Sequence, residues 1–199
     1  MNAKNPDHVR NRIVILDFDG TLYHNPTHDF SLDIPIDDIL DAYTFFSELI
    51  FQTGKFVSKN AVFALITGRI WEQEQVVLHY LTLKGYRIDH AYFVQTERTA
   101  QMDETSFLIE YWTAKVKLIN QLNLSDEFES IIIIDDDPII CSMLEKLNFE
   151  VYKAEISKDV LSQTLSITFT PPQKLLMSEL QALLKNREEK KEKEVAVRM

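Results

Sequence analysis

The run Ile13-Val14-Ile15-Leu16-Asp17-Phe18-Asp19-Gly20-Thr21-Leu22 constrains this chain most. Four aliphatic residues, three of them β-branched, predict a buried strand. Asp17 and Asp19 follow at its end, and Gly20 marks a turn. Two carboxylates one residue apart lie on the same side of an extended chain. Left bare they repel, and a divalent cation or a shared proton relieves that repulsion. The pattern predicts a site for a hard metal in which one carboxylate can also serve as a nucleophile. A strand ending in an acidic turn around a structural cation is the alternative.

The rest of the chain reads as strands alternating with helices. Buried strands are predicted at 13–17, 61–66, 90–94, 131–134 and 149–152, with a short one at 165–170. Helices are predicted over 35–51, ended by Gly54, over 70–84, ended by Gly85, and over 106–122 and 138–147. Residues 22–34 and 95–104 read as loops. The alternation implies an α/β fold, a Rossmann-like three-layer sandwich around a mainly parallel sheet. In such folds chemistry gathers at the carboxyl ends of the strands. Thr67-Gly68-Arg69 and Asp135-Asp136-Asp137-Pro138 both fall at such ends.

With 199 residues, the chain suits one such domain and an appendage. The expected division is a loosely ordered 1–11, a core at 12–172, and a helix with a charged tail at 173–199. Leu175, Leu176, Leu180, Leu183 and Leu184 predict a helix packing on the body, followed by a mixed-charge run that a solvated helix end explains. No apolar run is long enough to span a bilayer, and the first residues lack a signal peptide's apolar core. The expectation is a cytoplasmic protein without a membrane partner. The net charge of −10 argues against broad electrostatic binding of nucleic acid, though not against a local basic patch. Cys141, the single cysteine, sits in an apolar stretch and reads as helix core.

The Asp17–Leu22 run resembles motif I of the haloacid dehalogenase (HAD) superfamily, Asp-x-Asp-Gly-Thr. The resemblance implies that Asp17 attacks phosphorus and forms an aspartyl-phosphate. Asp19 then protonates the leaving group and later activates water. Thr67 resembles the motif II residue, and with the backbone of Gly68 it is placed to hold phosphoryl oxygens. Arg69 is placed either to touch substrate phosphate or to pair with an acidic neighbour. The motif III lysine is Lys115 or Lys117. The resemblance favours Lys115, because the apolar residues that follow it at helical spacing (Leu118, Ile119, Leu122) match the pattern after the family's lysine.

Asp135 and Asp136 resemble motif IV. The implied cofactor is Mg²⁺, held by Asp17, Asp136 and the backbone carbonyl of Asp19, with Asp135 acting through water. Asp137 reads as a helix cap before Pro138.

The intervals where HAD enzymes insert caps, 22–60 and 70–114, leave no room for a large cap domain. In that family an open site implies a large phosphorylated substrate, a nucleic-acid end or a phosphoprotein. A small metabolite fits if oligomerisation closes the site. The order of Thr-Gly-Arg, the Gly85-Tyr86-Arg87-Ile88-Asp89-His90 segment, an aromatic helix with lysine and the acidic turn also resembles the Swiss Army Knife RNA-repair-like HAD domains. Here Asp-Asp-Asp stands where Glu-Asp-Arg is typical. Two other readings are a catalytically silent binding or regulatory module and a phosphoacceptor receiver domain. Receivers place their lysine last, whereas both lysines here precede the Asp cluster.

Overall fold

The computed structural model describes residues 11–26, 33–57, 60–94, 104–123 and 128–171. The expectations for residues 1–10, for most of the 95–104 loop and for the helix and tail at 173–199 lie outside the described residues.

Six strands form one sheet: β1 (Asn11–Leu16), β2 (Val62–Thr67), β3 (His90–Phe93), β4 (Phe128–Asp135), β5 (Glu150–Lys158) and β6 (Leu165–Thr170). Their order is β3-β2-β1-β4-β5-β6. The first five run parallel, and β6 is antiparallel to β5. β1 therefore lies at the centre, with Leu16 beside Leu65 of β2 and Ile134 of β4. The backbone N–H of Asp17 extends the β4 ladder by donating to the Ile134 carbonyl at 3.0 Å.

Alternate side chains of β1 face opposite layers. Val14 and Leu16 pack with α1 (Ala42–Thr53) and α2 (Glu74–Leu83) through Phe45, Leu49, Val77 and Leu81. Ile13 and Ile15 pack with α3 (Glu104–Asn123) and α4 (Pro138–Lys146) through Trp112, Ile119, Ile140 and Leu144. Helices on both faces of a mostly parallel sheet make the three-layer α/β sandwich. No described helix is long and apolar enough to cross a membrane. Cys141 lies fully buried in α4, in keeping with the core role expected of it.

Two elements depart from the sequence expectation. The helix expected over 35–51 begins only at Ala42. Before it stand one 3-10 turn at Ile36–Asp38 and an extended stretch. There Ile39 bridges to Tyr23, and the Leu40 N–H donates to the Leu22 carbonyl at 2.9 Å. Ile39 and Leu40 are buried in this pairing, so their spacing mimicked a helix they do not join. Asp41 then caps α1 by accepting from the Thr44 N–H at 2.9 Å.

The strand expected at 149–152 runs on to Lys158. Asp135 beside Lys153 is its last pairing with β4, and from there to Lys158 it pairs with β6 alone. The result is a two-stranded hairpin standing above the carboxyl edge of the sheet. Gln52 of α1 braces it from behind, donating to the Ile167 carbonyl at 3.0 Å and accepting from the Phe169 N–H at 2.7 Å.

Candidate functional site

Asp17 follows β1, Thr67 ends β2, and Asp135 ends β4, so the three adjoining central strands deliver them to one edge of the sheet. Lys115 reaches this edge from α3. Its Nζ lies 2.6 Å from Asp17 Oδ1 and 2.6 Å from Asp135 Oδ2, with all three side chains buried. Lys117 is exposed, so of the two candidate lysines it is Lys115 that meets the acidic cluster.

Both Asp135 oxygens are engaged, because Oδ1 accepts the Asp137 N–H at 2.9 Å. Asp137 caps α4 by accepting from the Ile139 N–H at 2.8 Å, as its place before Pro138 suggested. Its other oxygen accepts from Trp112 Nε1 at 3.0 Å. Trp112 and Lys115 lie three apart on one face of α3, so the same helix face grips the acidic turn twice. The partly buried Asp136 carboxylate has no hydrogen-bond donor among the described residues.

Oxygens of Asp17, Asp135 and Asp136 converge within 4.8 Å of one another. Against these three carboxylates stands one ammonium, Lys115, which leaves a formal charge of −2 if all are ionised. The field reflects that imbalance. Burial pushes Asp17 up to about 8 despite Lys115, and the charge of Asp135 adds to the rise. Burial and then Asp17 and Asp135 raise Asp136 well above the usual carboxylate range. Burial also raises Asp135, against the pull of Lys115. For Lys115 burial works downward, but Asp135 and Asp17 outweigh it and hold the ammonium well above its ordinary value. A converging all-oxygen set with two negative charges in excess, one member of it without a donor, suits a hard divalent cation.

The Asp19 carboxylate stands apart from this trio. Arg69 holds it with two nitrogens, Nη2 to Oδ1 at 2.6 Å and Nε to Oδ2 at 3.0 Å. Asn25 Nδ2 adds a bond to Oδ1 at 2.9 Å. The guanidinium sits 5.3 Å from the ring centres of both Phe18 and Tyr23, which stack on each other. Arg69 is only 1% exposed, so of its two readings the structure realises the pairing with an acidic neighbour. The Asp19 side chain is thus not part of the converging acidic group, and the expectation for Asp19 as a metal ligand concerned its backbone carbonyl.

Thr67 is fully buried, and its hydroxyl oxygen accepts the Arg69 N–H at 3.2 Å. No helix starts directly after it. Ile70 is extended, and a 3-10 turn at Trp71–Gln73 precedes α2. Gly68 is required by close approach, since a Cβ there would fall 2.9 Å from the Tyr111 ring. Tyr111 in turn lies one helical turn before Lys115, with Nζ 5.9 Å from its ring centre.

Gly20 has a left-handed φ of 81°, and a Cβ on it would overlap the Asp136 carboxylate. Beside this contact opens a cleft of about 230 Å³ between the 20–26 loop and the β5–β6 hairpin. Gly20, His24, Asn25, Asp136, Lys153 and Glu155 line it.

Sequence reasoning missed Asn25, Tyr111, Trp112 and Lys153. For Tyr111 and Trp112 a signal existed, because each lies one turn before Lys115 on α3. For Asn25 and Lys153 none did, since their place depends on how a loop and a late hairpin fold back over the strand ends.

No family model and no curated protein matches this chain. Among solved structures it is similar to a chain of the Pnkp1/Rnl/Hen1 complex, with a TM-score of 0.44 and 16% identity. The match covers 74% of this chain and 47% of that one, so this chain spans less than half of its length.

Proposed function

We propose that this chain is a Mg²⁺-dependent phosphomonoester hydrolase of the HAD type that works through an aspartyl-phosphate on Asp17. The observation that carries this reading is the convergence of Asp17, Asp135 and Asp136 around Lys115 at the centre of the sheet edge. Asp17 and Asp136 would hold the cation with the Asp19 carbonyl, and Asp135 would back them from its bonds to Lys115 and the Asp137 N–H. When bound, the cation supplies positive charge that shields the nucleophile from the phosphoryl oxygens.

In this reading an Asp17 oxygen attacks phosphorus as the ester P–O bond breaks, and the departing alkoxide takes a proton from Asp19. Water then attacks the phosphoryl group and gives its proton to Asp19. The bond from phosphorus to Asp17 breaks, and the carboxylate is restored. Lys115 steers the Asp17 oxygen and, with Thr67 and the Gly68 backbone, stabilises charge on the transferring group. Arg69 and Asn25 fix Asp19 in place. No inserted cap domain is found among the described residues of 33–57 or 60–94. A nucleic-acid end or a phosphoprotein therefore lies within this reading, as does a smaller phosphate ester.

The test is a Mg²⁺-dependent phosphatase screen of wild type and Asp17→Asn. It spans p-nitrophenyl phosphate, nucleotides, sugar phosphates, phosphopeptides and end-phosphorylated oligonucleotides. Wild type should turn over at least one of these, and Asp17→Asn should lose all detectable turnover, because uncatalysed monoester hydrolysis is so slow. Equal activity in Asp17→Asn would sink the covalent route. Mg²⁺ binding without turnover of any substrate would favour the silent regulatory module.

A further inference from the structure

The hairpin changes what the site can recognise. β5 outlasts β4 by five residues, and it rises beside Asp136 as a wall on one side of the sheet edge. The wall is held rather than free. Lys158 Nζ lies 2.6 Å from Asp38 Oδ1, tying it to the 36–38 turn, and Gln52 braces β6 from behind. Facing it across the 230 Å³ cleft is the 20–26 loop, whose Asn25 bonds the Asp19 carboxylate. The cleft thus borders both Asp136, the proposed cation ligand, and the partner of Asp19, the proposed acid. A leaving-group oxygen protonated by Asp19 has this cleft beside it.

The lining indicates what enters. Lys153 offers donors, Glu155 offers acceptors, and His24 can do either. Among the described residues none of these three side chains has a hydrogen-bond or ion-pair partner. The formal charges of Lys153 and Glu155 cancel, and Asp136 at the cation side adds a negative one, so the cleft does not suit a second phosphate. Among the described residues no Trp, Tyr or Phe lines it, and His24 brings its one ring. Unpartnered donors and acceptors of balanced charge suit a neutral group rich in hydroxyls.

We propose that this cleft is the leaving-group subsite and that it takes a hydroxyl-bearing sugar joined directly to the scissile phosphate. Lys153 and Glu155 determine its specificity. The inference rests on the phosphatase reading and narrows it. The sugar can belong to a free sugar phosphate or to the terminal ribose of a nucleic-acid end, whereas a phosphoserine side chain brings no hydroxyls to the cleft.

The experiment compares kcat/KM for ribose 5-phosphate, an end-phosphorylated oligoribonucleotide, a phosphoserine peptide and p-nitrophenyl phosphate. The proteins are wild type, Lys153→Met and Glu155→Gln, with folding checked by circular dichroism. Wild type should prefer one of the two sugar substrates over both others, and the preferred one identifies the source. The ratio of its kcat/KM to that of p-nitrophenyl phosphate should fall about tenfold in each variant, the loss expected for a hydrogen bond to a charged partner. A preference for the phosphoserine peptide, or a ratio unchanged in both variants while wild type is active, overturns this inference alone. A wild type that turns over none of the four but hydrolyses another ester of the wider screen overturns this inference alone, and one inactive on the whole screen overturns the phosphatase reading and this inference with it.

Discussion

A single buried ammonium, Lys115, lies between two buried carboxylates, and the site depends on it. Lys115→Met would leave Asp17 and Asp135 without a counter-charge in a dry setting. Unfolding of metal-free protein in urea above the raised Asp17 value of about 8 should show a loss of about 3–5 kcal/mol, the usual effect of removing one partner from a buried ion pair. Gly20→Ala acts on the cation side, since its Cβ would displace the Asp136 carboxylate. Mg²⁺ affinity by calorimetry should drop roughly 10–100-fold, as it does when the groups positioning a metal ligand are altered. At this scale the sequence was most legible where residue type alone dictates chemistry. The convergence of Asp17, Asp135 and Asp136 could be read from carboxylates at the ends of apolar runs, whereas Lys115 was singled out only by the family resemblance. Arg69 stayed ambiguous, because one guanidinium suits a phosphate and a carboxylate equally well. Only the enclosing Phe18 and Tyr23 rings and the reach of Asn25 decide between them.

Elements were legible where their burial is two-sided. β1, β2 and β4 are apolar on both faces, as central parallel strands are, and all three were placed to within a few residues. The start of α1 was not, because Ile39 and Leu40 bury against a loop at a spacing that imitates a helix. The telling signal was the pair Asp41 and Thr44. Asp41→Ala should lower stability in urea by about 1 kcal/mol, while Asp41→Asn should lose little. Partial burial alone would raise the Asp41 carboxyl, but the Thr44 N–H and hydroxyl outweigh it and hold it below its ordinary value. The contribution of this cap is therefore complete above about pH 4 and is lost as pH falls through the lowered folded value. The upper half of β5 escaped notice for the opposite reason. Lys153 to Ser157 alternates polar and apolar residues, and from Ala154 on the strand gains its partner only from β6.

For the whole molecule, the acidic cluster couples stability to pH and to cations. In metal-free protein the folded chain keeps a proton on Asp17 up to about pH 8, whereas the unfolded chain gives it up near the ordinary value of 3.8. The folded state thus binds the extra proton between those limits, and stability falls as pH rises through them. A divalent cation held by this trio would take over the proton's role. Thermal denaturation of chelator-treated protein should give a lower Tm at pH 8 than at pH 5. Mg²⁺ should restore more at pH 8, approaching 2.7 kcal/mol at about 100 times its Kd.

The position of β1 has a consequence in time. Its neighbours are β2, made soon after it, and β4, made much later. Pairing between strands so distant along the chain is slow, and it cannot begin before both exist. A chain emerging from the ribosome carries Asp17 about a hundred residues before Lys115 and Asp135 follow. Until α3 and β4 dock, Asp17 has neither its counter-charge nor its fellow carboxylates, so the cluster is completed only as the sheet closes on both sides of β1.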